Sequence, residues 1–416
     1  MMVLLILLLA VGAYGVRVAP LIEGGGGPEF ENQYIVKVRS SVLVETFKYR
    51  IEQISEKLKK QSGGVYGQYT IESALLANPS VLFMKMDRKM LKRVRLSSLV
   101  GYVEEDGYND PDYVYPPLPR AMPSSTWALD RINQVSCELD KDISFCGDGE
   151  GVNIYVLDSG INDQQQDFEG RAIKAYDVFN STGNDCCKHG TAVAGAAASK
   201  TWGVAKKANI YSVRMLDCRC GAGTSHMVKA IDWVAEHAVL PCVATMSFSR
   251  KTTSPTICDA VQRLSEAGCI PIAAGTNYSP DKNQNPDACT RTPATCPHAI
   301  TVGATTFTDD LRASFSRYGD CVDIFAPGDF VRTTSAADGK FEWRSGTSMS
   351  VPLVAGVAAI HLGNGVPASE VRHRILSDAL SCKLPDAGRG SPNRFLYVDP
   401  AEPVENPEPG VVETGY

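Results

Sequence analysis

Val152-Asn153-Ile154-Tyr155-Val156-Leu157-Asp158-Ser159-Gly160 is a short apolar run that stops at an acid followed by glycine. Such a run reads as a strand ending where the chain must turn. Four similar runs follow, Ile210–Met215, Val243–Phe248, Ile270–Ala274 and Ala299–Thr305. Helical patterns lie between them; in one, Met227, Ile231, Val234 and Ala238 share a face. Strands alternating with helices predict an α/β fold over 125–398, a mostly parallel sheet covered by helices on both faces. Asp158 then stands at the carboxyl end of its strand, the end where open α/β sheets carry their sites.

The rest of the 416 residues is organised differently. Residues 1–15 contain an apolar run too short for the ~20 residues of a membrane-spanning helix. With Ala13-Tyr14-Gly15 behind it, the run reads as a signal peptide. Gly24–Gly27 is a link. Across 30–107 the order is strand (Tyr34–Val38), helix, strand (Val65–Ile71), strand (Val81–Met86), helix (Asp87–Ser97), strand (Leu99–Val103). Leu43, Phe47, Ile51, Ile54 and Leu58 make the first helix's stripe. This β-α-β-β-α-β order predicts a small ferredoxin-like α+β domain. Its basic run Lys85, Arg88, Lys89, Lys92, Arg93, Arg95 reads as a solvated face. The proline- and tyrosine-rich residues 108–124, with Pro116-Pro117-Leu118-Pro119, read as a linker, and the acidic 399–416 as a disordered tail.

A net charge of −6 excludes a general nucleic-acid binder, which needs a basic field. No later stretch is apolar enough for a membrane. All 13 cysteines lie at or beyond Cys137. In an exported chain, clustered cysteines favour disulfides over metal. Cys186-Cys187 and Cys218-Arg219-Cys220 lack the second pair that a zinc set needs. Thirteen is odd, so at least one thiol has no intramolecular partner.

Three stretches carry chemistry together: Asp158-Ser159-Gly160, His189-Gly190-Thr191 and Gly346-Thr347-Ser348-Met349. Each alone has an ordinary reading, as a turn acid, a structural histidine or a helix cap. Together, each beside a glycine, they match what hydrolysis of an amide requires. A serine hydroxyl is a poor nucleophile until an imidazole accepts its proton, and a buried carboxylate fixes that imidazole's tautomer. A serine at a helix N-terminus also has free N–H groups near a developing oxyanion.

The chain resembles the subtilisin-like serine proteases, and among them the proteinase K group, over about 125–398. Trp202-Gly203-Val204-Ala205-Lys206-Lys207, Ala273-Ala274-Gly275, Thr301-Val302-Gly303-Ala304 and Phe325-Ala326-Pro327-Gly328 also carry the likeness. Residues 34–105 are similar to that family's inhibitory propeptide. The resemblance implies a triad of Asp158, His189 and Ser348. It implies that Gly221, Ala222, Gly223 and Ser247, Phe248, Ser249 flank an extended peptide as added strands. Ala273, Ala274 and Gly275 would line an uncharged primary pocket. The family places asparagine directly after Ala-Ala-Gly as oxyanion donor; here Thr276 stands there and Asn277 comes next, so either is a candidate. No cofactor is expected for catalysis, but a structural calcium would sit among Pro297, Ala299 and Asp323. Asn180-Ser181-Thr182 is the better glycosylation acceptor; Asn277-Tyr278-Ser279 is followed by Pro280.

The resulting expectation is a secreted, monomeric serine endopeptidase acting on extended protein or peptide substrates. It would be made as a zymogen inhibited by its own propeptide and cut between Arg120 and Ser125. The alternative is a binding protein on a protease fold, motivated by Thr276. An esterase is disfavoured, because its triad order and G-x-S-x-G elbow differ.

Overall fold

The computed structural model describes residues 17–24, 30–74, 78–109, 119, 121–308, 310–381 and 383–400. The expected signal peptide, most of the linker and all but the first two residues of the tail lie outside them. The chain divides into two compact units, one of 1–23 with 32–105, the other of 24–31 with 106–416.

The first unit holds strands β1 (Leu21–Ile22), β2 (Gln33–Val38), β3 (Tyr69–Ala74), β4 (Val81–Met86) and β5 (Val100–Glu105). Its helices are α1 (Val44–Ser62) and α2 (Arg88–Arg95). The sheet order is β1-β5-β2-β4-β3. Without the short β1, this is the ferredoxin-like order. The expected stripe buries Phe47, Ile51 and Leu58 against Val36, Leu82 and Met84. The third strand differs from expectation, starting at Tyr69 rather than Val65. Val65 is exposed, Tyr66 N–H donates to Ser62 Oγ (2.9 Å), and Asp87 Oδ2 accepts from Gly67 and Gln68 N–H (2.7 and 2.8 Å). Those donors are taken by a turn and are not free for a ladder. The basic run lies outward except for Arg95, whose Nε donates to Ala19 O (2.9 Å).

The second unit begins with β6 (Tyr108–Asn109) and α3 (Trp127–Ile132). It continues through β7 (Asn153–Asp158), β8 (Ala172–Asp177), α4 (Gly190–Ala198), β9 (Asn209–Arg214), β10 (Ala222–Gly223) and α5 (Thr224–His237). Then come β11 (Cys242–Met246), α6 (Pro255–Glu266), β12 (Cys269–Ala274), β13 (Ile300–Thr305), β14 (Ile324–Pro327), β15 (Val331–Thr334) and β16 (Phe341–Arg344). The unit ends with α7 (Thr347–Gly363), α8 (Ala368–Asp378), β17 (Leu380–Ser381) and β18 (Arg394–Phe395). A nine-stranded sheet runs β17-β18-β14-β13-β12-β11-β7-β9-β8, parallel except at β17–β18. Every residue of β7, β11, β12 and β13 is buried, so helices cover both faces. Helices α4 and α7 pack on each other, and so do α5 and α6. Both α4 and α7 are apolar all round, as helices buried on every side must be.

Candidate active site

Strand β7 delivers Asp158 to the sheet's carboxyl edge, where it is fully buried. Ser159 N–H donates to Asp158 Oδ1 (2.7 Å), and Met215 N–H to the Asp158 carbonyl (2.8 Å). His189 precedes the first turn of α4, and its Nδ1 lies 2.9 Å from both Asp158 carboxylate oxygens. The approach needs Gly190: a Cβ there would collide with the Gly160 carbonyl oxygen. Sequence reasoning missed the residue that fixes this helix start. Asp185 Oδ2 accepts from Thr191 N–H (2.8 Å) and Thr191 Oγ1 (2.6 Å). Its Oδ1 accepts from Lys188 N–H and Ser159 Oγ, both at 2.7 Å. A carboxylate against free helix N–H groups is favourable both as a cap and with the dipole. Burial alone would pull the His189 pKa down. The Asp158 carboxylate reverses this and holds it above the usual value, with Arg344 opposing.

Ser348 is the second residue of α7, and its Oγ donates to the Ser247 carbonyl (3.3 Å). Pro352 has no N–H, so the Ser348 carbonyl lacks its ordinary i+4 donor. Ser247 Oγ donates to it instead (3.1 Å). Two reciprocal bonds thus tie Ser348 to the end of β11.

Asn277 Oδ1 accepts from both Thr347 N–H and Thr347 Oγ1, each at 3.0 Å. Its amide nitrogen is thereby oriented from a point one residue before Ser348. Thr276 bridges the turn with φ +70°, in the left-handed region, and its buried hydroxyl has no hydrogen-bond partner. Arg317 holds this segment: its backbone N–H donates to Thr276 O (3.1 Å) and its Nε to Asn277 O (3.0 Å).

The expected cleft segments also lie near these elements. Gly221 immediately precedes β10, which Ala222 and Gly223 form, and Ser247–Ser249 continues from β11. Ala273, Ala274 and Gly275 are buried at the end of β12, where Gly275 N–H donates to Val302 O (2.8 Å). Residues 108 and 109, expected as linker, are a strand: Asn109 pairs with Ala222 and Tyr108 with Gly223, antiparallel. The Tyr108 hydroxyl donates to Asp217 at 2.9 Å, a partner that sequence reasoning did not single out. Cys186–Cys218 and Cys187–Cys220 are disulfides joining the His189 turn to the segment before β10. Cys242–Cys269, Cys258–Cys296 and Cys289–Cys321 are also bonded. Cys137 and Cys146 pair with no other described cysteine.

The expected calcium ligands come together, but around a different cation. Arg372 Nη1 donates to Ala299 O (2.5 Å) and Pro297 O (3.4 Å), and Nη2 to Asp323 Oδ1 (2.7 Å). The three oxygens already serve one guanidinium, so the set does not fit a metal ion. Asn180 is exposed with φ +50°, whereas Asn277 is buried and engaged.

Comparison with known proteins agrees with this geometry. The subtilase family model matches residues 149–397. An alkaline serine exoprotease A of Vibrio alginolyticus is 36% identical over 374 residues, 88% of this chain and 67% of that protein. An extracellular serine proteinase of Thermus sp. (strain Rt41A) is 38% identical over 317 residues, 74% of this chain and 73% of that protein. The crystal structure of a cold adapted subtilisin-like serine proteinase superposes with a TM-score of 0.62 at 39% identity, over 66% of this chain and 99% of that one. The chain therefore belongs to the subtilase family and is a subtilisin-like serine endopeptidase.

Proposed function

We propose that Asp158, His189 and Ser348 cut peptide bonds through an acyl-enzyme, in a secreted chain made as a self-processing zymogen. One observation carries the reading: an imidazole 2.9 Å from a buried carboxylate, at the start of a helix that packs against the helix whose second residue is Ser348. His189 Nε2 takes the Ser348 proton as Oγ attacks the carbonyl, and returns it to the leaving amine. Water then attacks the acyl-enzyme by the same relay, and Asp158 stabilises the imidazolium throughout. Asn277 donates its amide N–H to the oxyanion. Thr276 is the weaker candidate, because its hydroxyl is sealed inside the turn.

An extended substrate lies between 221–223 and 247–249, with its primary side chain against Ala273, Ala274 and Gly275. The pairing of Tyr108–Asn109 with β10 supports that binding mode, since a piece of this chain already adds there as a strand. The first unit acts as the inhibitory propeptide; a separate core without cysteines supports this. Secretion accords with five disulfides and with a relative named as extracellular. No described helix is long and apolar enough to cross a membrane. Exposed Asn180 is the glycan acceptor. The test is purification of the Ser348→Ala variant. It should remain full length, while the native chain is cut between Arg120 and Ser125; unaided release of the first unit from the variant overturns self-processing.

A further inference from the structure

The oxygen cradle around Arg372 departs from what its family likeness implies, and the departure has a physical logic. Two carbonyls and a carboxylate pointing at one spot need a positive charge there. A calcium ion answers with two charges but asks for six to eight oxygens. A guanidinium answers with one charge and a planar fork of five N–H donors. Here the fork is matched: Nη1 takes the Ala299 and Pro297 carbonyls, and Nη2 the Asp323 carboxylate. The other Asp323 oxygen accepts from Thr301 N–H (2.8 Å), and Asp323 N–H donates to Thr301 O (2.8 Å). Thr301 pairs with Ala273 in the neighbouring strand. One side chain on α8 therefore braces the 297–299 turn, the start of β14 and, one strand further, the wall of the primary pocket. Burial pushes the Asp323 carboxyl up, and Arg372 pulls it back. Removing Arg372 would therefore leave a largely buried carboxylate and two carbonyls facing a gap the size of its charged head.

We propose that Arg372 is a tethered replacement for a divalent cation, so that this cradle stays braced without calcium. The consequence is a peptidase whose pocket wall does not loosen at this point when calcium is scarce or chelated.

The experiment compares thermal unfolding of the full chain and its R372A variant, both carrying Ser348→Ala to prevent self-digestion, in EGTA and in calcium chloride. In EGTA, R372A should unfold at a midpoint about 3 °C or more below its parent. Calcium should recover at least half of that loss in R372A and shift the parent by less. Adding Asp323→Asn to R372A should abolish the recovery, because the only carboxylate is gone. Equal calcium-minus-EGTA shifts in the parent and R372A overturn the proposal, as does an R372A loss that calcium leaves unrepaired. If R372A cannot be isolated in chelator, folding yield with and without added calcium becomes the readout. No gain with calcium then overturns the proposal as well.

Discussion

Replacing Asn277 by aspartate would separate its hold on Thr347 from the oxyanion role proposed for it. Asn277 Oδ1 accepts two 3.0 Å bonds from Thr347, and its nitrogen is the candidate oxyanion donor. An aspartate retains the acceptor and its shape, so Thr347 stays satisfied and the fold should hold. The donor is lost, and a carboxylate then faces the developing negative charge. Loss of one such donor costs about 10²–10³ in kcat, or ~2.7–4 kcal/mol, so Asn277→Asp should lose at least that much. KM should change little, because the ground-state carbonyl draws little from this bond. Asn277→Ala would be a poorer probe, since it also strands Thr347 N–H in a buried site at roughly 1–3 kcal/mol. The matched control is Thr276→Ala. Its hydroxyl bonds nothing, so kcat should stay within about threefold, less than the ~1.4 kcal/mol of a tenfold change. Steady-state hydrolysis of a short chromogenic peptide by mature enzyme, with circular dichroism for folding, gives all three values. A collapse of kcat in Thr276→Ala beside an active Asn277→Asp would refute the assignment and move the donor to Thr276.

Asp158→Asn should fold normally but lose about 10⁴ in kcat, because the amide no longer fixes the imidazole tautomer; retention of a tenth of the activity would contradict this. In the proposed mechanism catalysis needs neutral His189, whose pKa is held up by Asp158. The acid limb of kcat/KM should therefore lie above the usual histidine value of 6.5, rising with pH through it, and a limb below 6.5 argues against that pairing. The two disulfides at the His189 turn close nearly the same loop, with sequence separations of 32 and 33. Either alone restrains the unfolded chain by about 3.7 kcal/mol, but once one is present the other closes a ring of only about five residues, worth about 2. Urea unfolding should show a loss of about 2 kcal/mol for Cys187→Ser with Cys220→Ser, and about 6 when all four are replaced; equal losses would show that the pair does not act as nested loops.

What the sequence displayed was chemistry carried by side chains of unusual type in a regular setting. Asp158, His189 and Ser348 stood out as candidates because each sits where a strand ends or a helix begins, close to a glycine. The parallel strands were legible because both faces are buried, leaving unbroken apolar runs. Tyr108–Asn109 was not legible, because two tyrosine- and proline-flanked residues have no periodicity and form a strand only through the partner edge of β10. Asp185 was hidden among Asn184, Cys186, Cys187 and Lys188, a composition that reads as an ordinary turn. Val65–Gln68 looked like a strand only while Asp87, some twenty residues on, was left out.

The deepest gap has a single physical cause. Arg317 holds the Asn277 carbonyl, Arg372 the Pro297 and Ala299 carbonyls, and Ser247 the Ser348 carbonyl. A backbone oxygen is the same at every residue, so nothing in the letters marks which ones need an outside donor. Proline is the exception, since it subtracts a donor at a known place. Pro352 announces that the carbonyl four residues back, that of Ser348, has lost its helical partner. A donor had to be found for that carbonyl, and Ser247, directly after β11, supplies it. Buried arginines follow the same logic at longer range: the fully buried Arg317 donates its Nε–H to the Asn277 carbonyl, since a buried charge must be met by acceptors. Backbone oxygens need such outside donors where the chain leaves regular structure, as it does at the 276–277 turn and at 297–299. Arg317 and Arg372 are thus braces of these irregular segments.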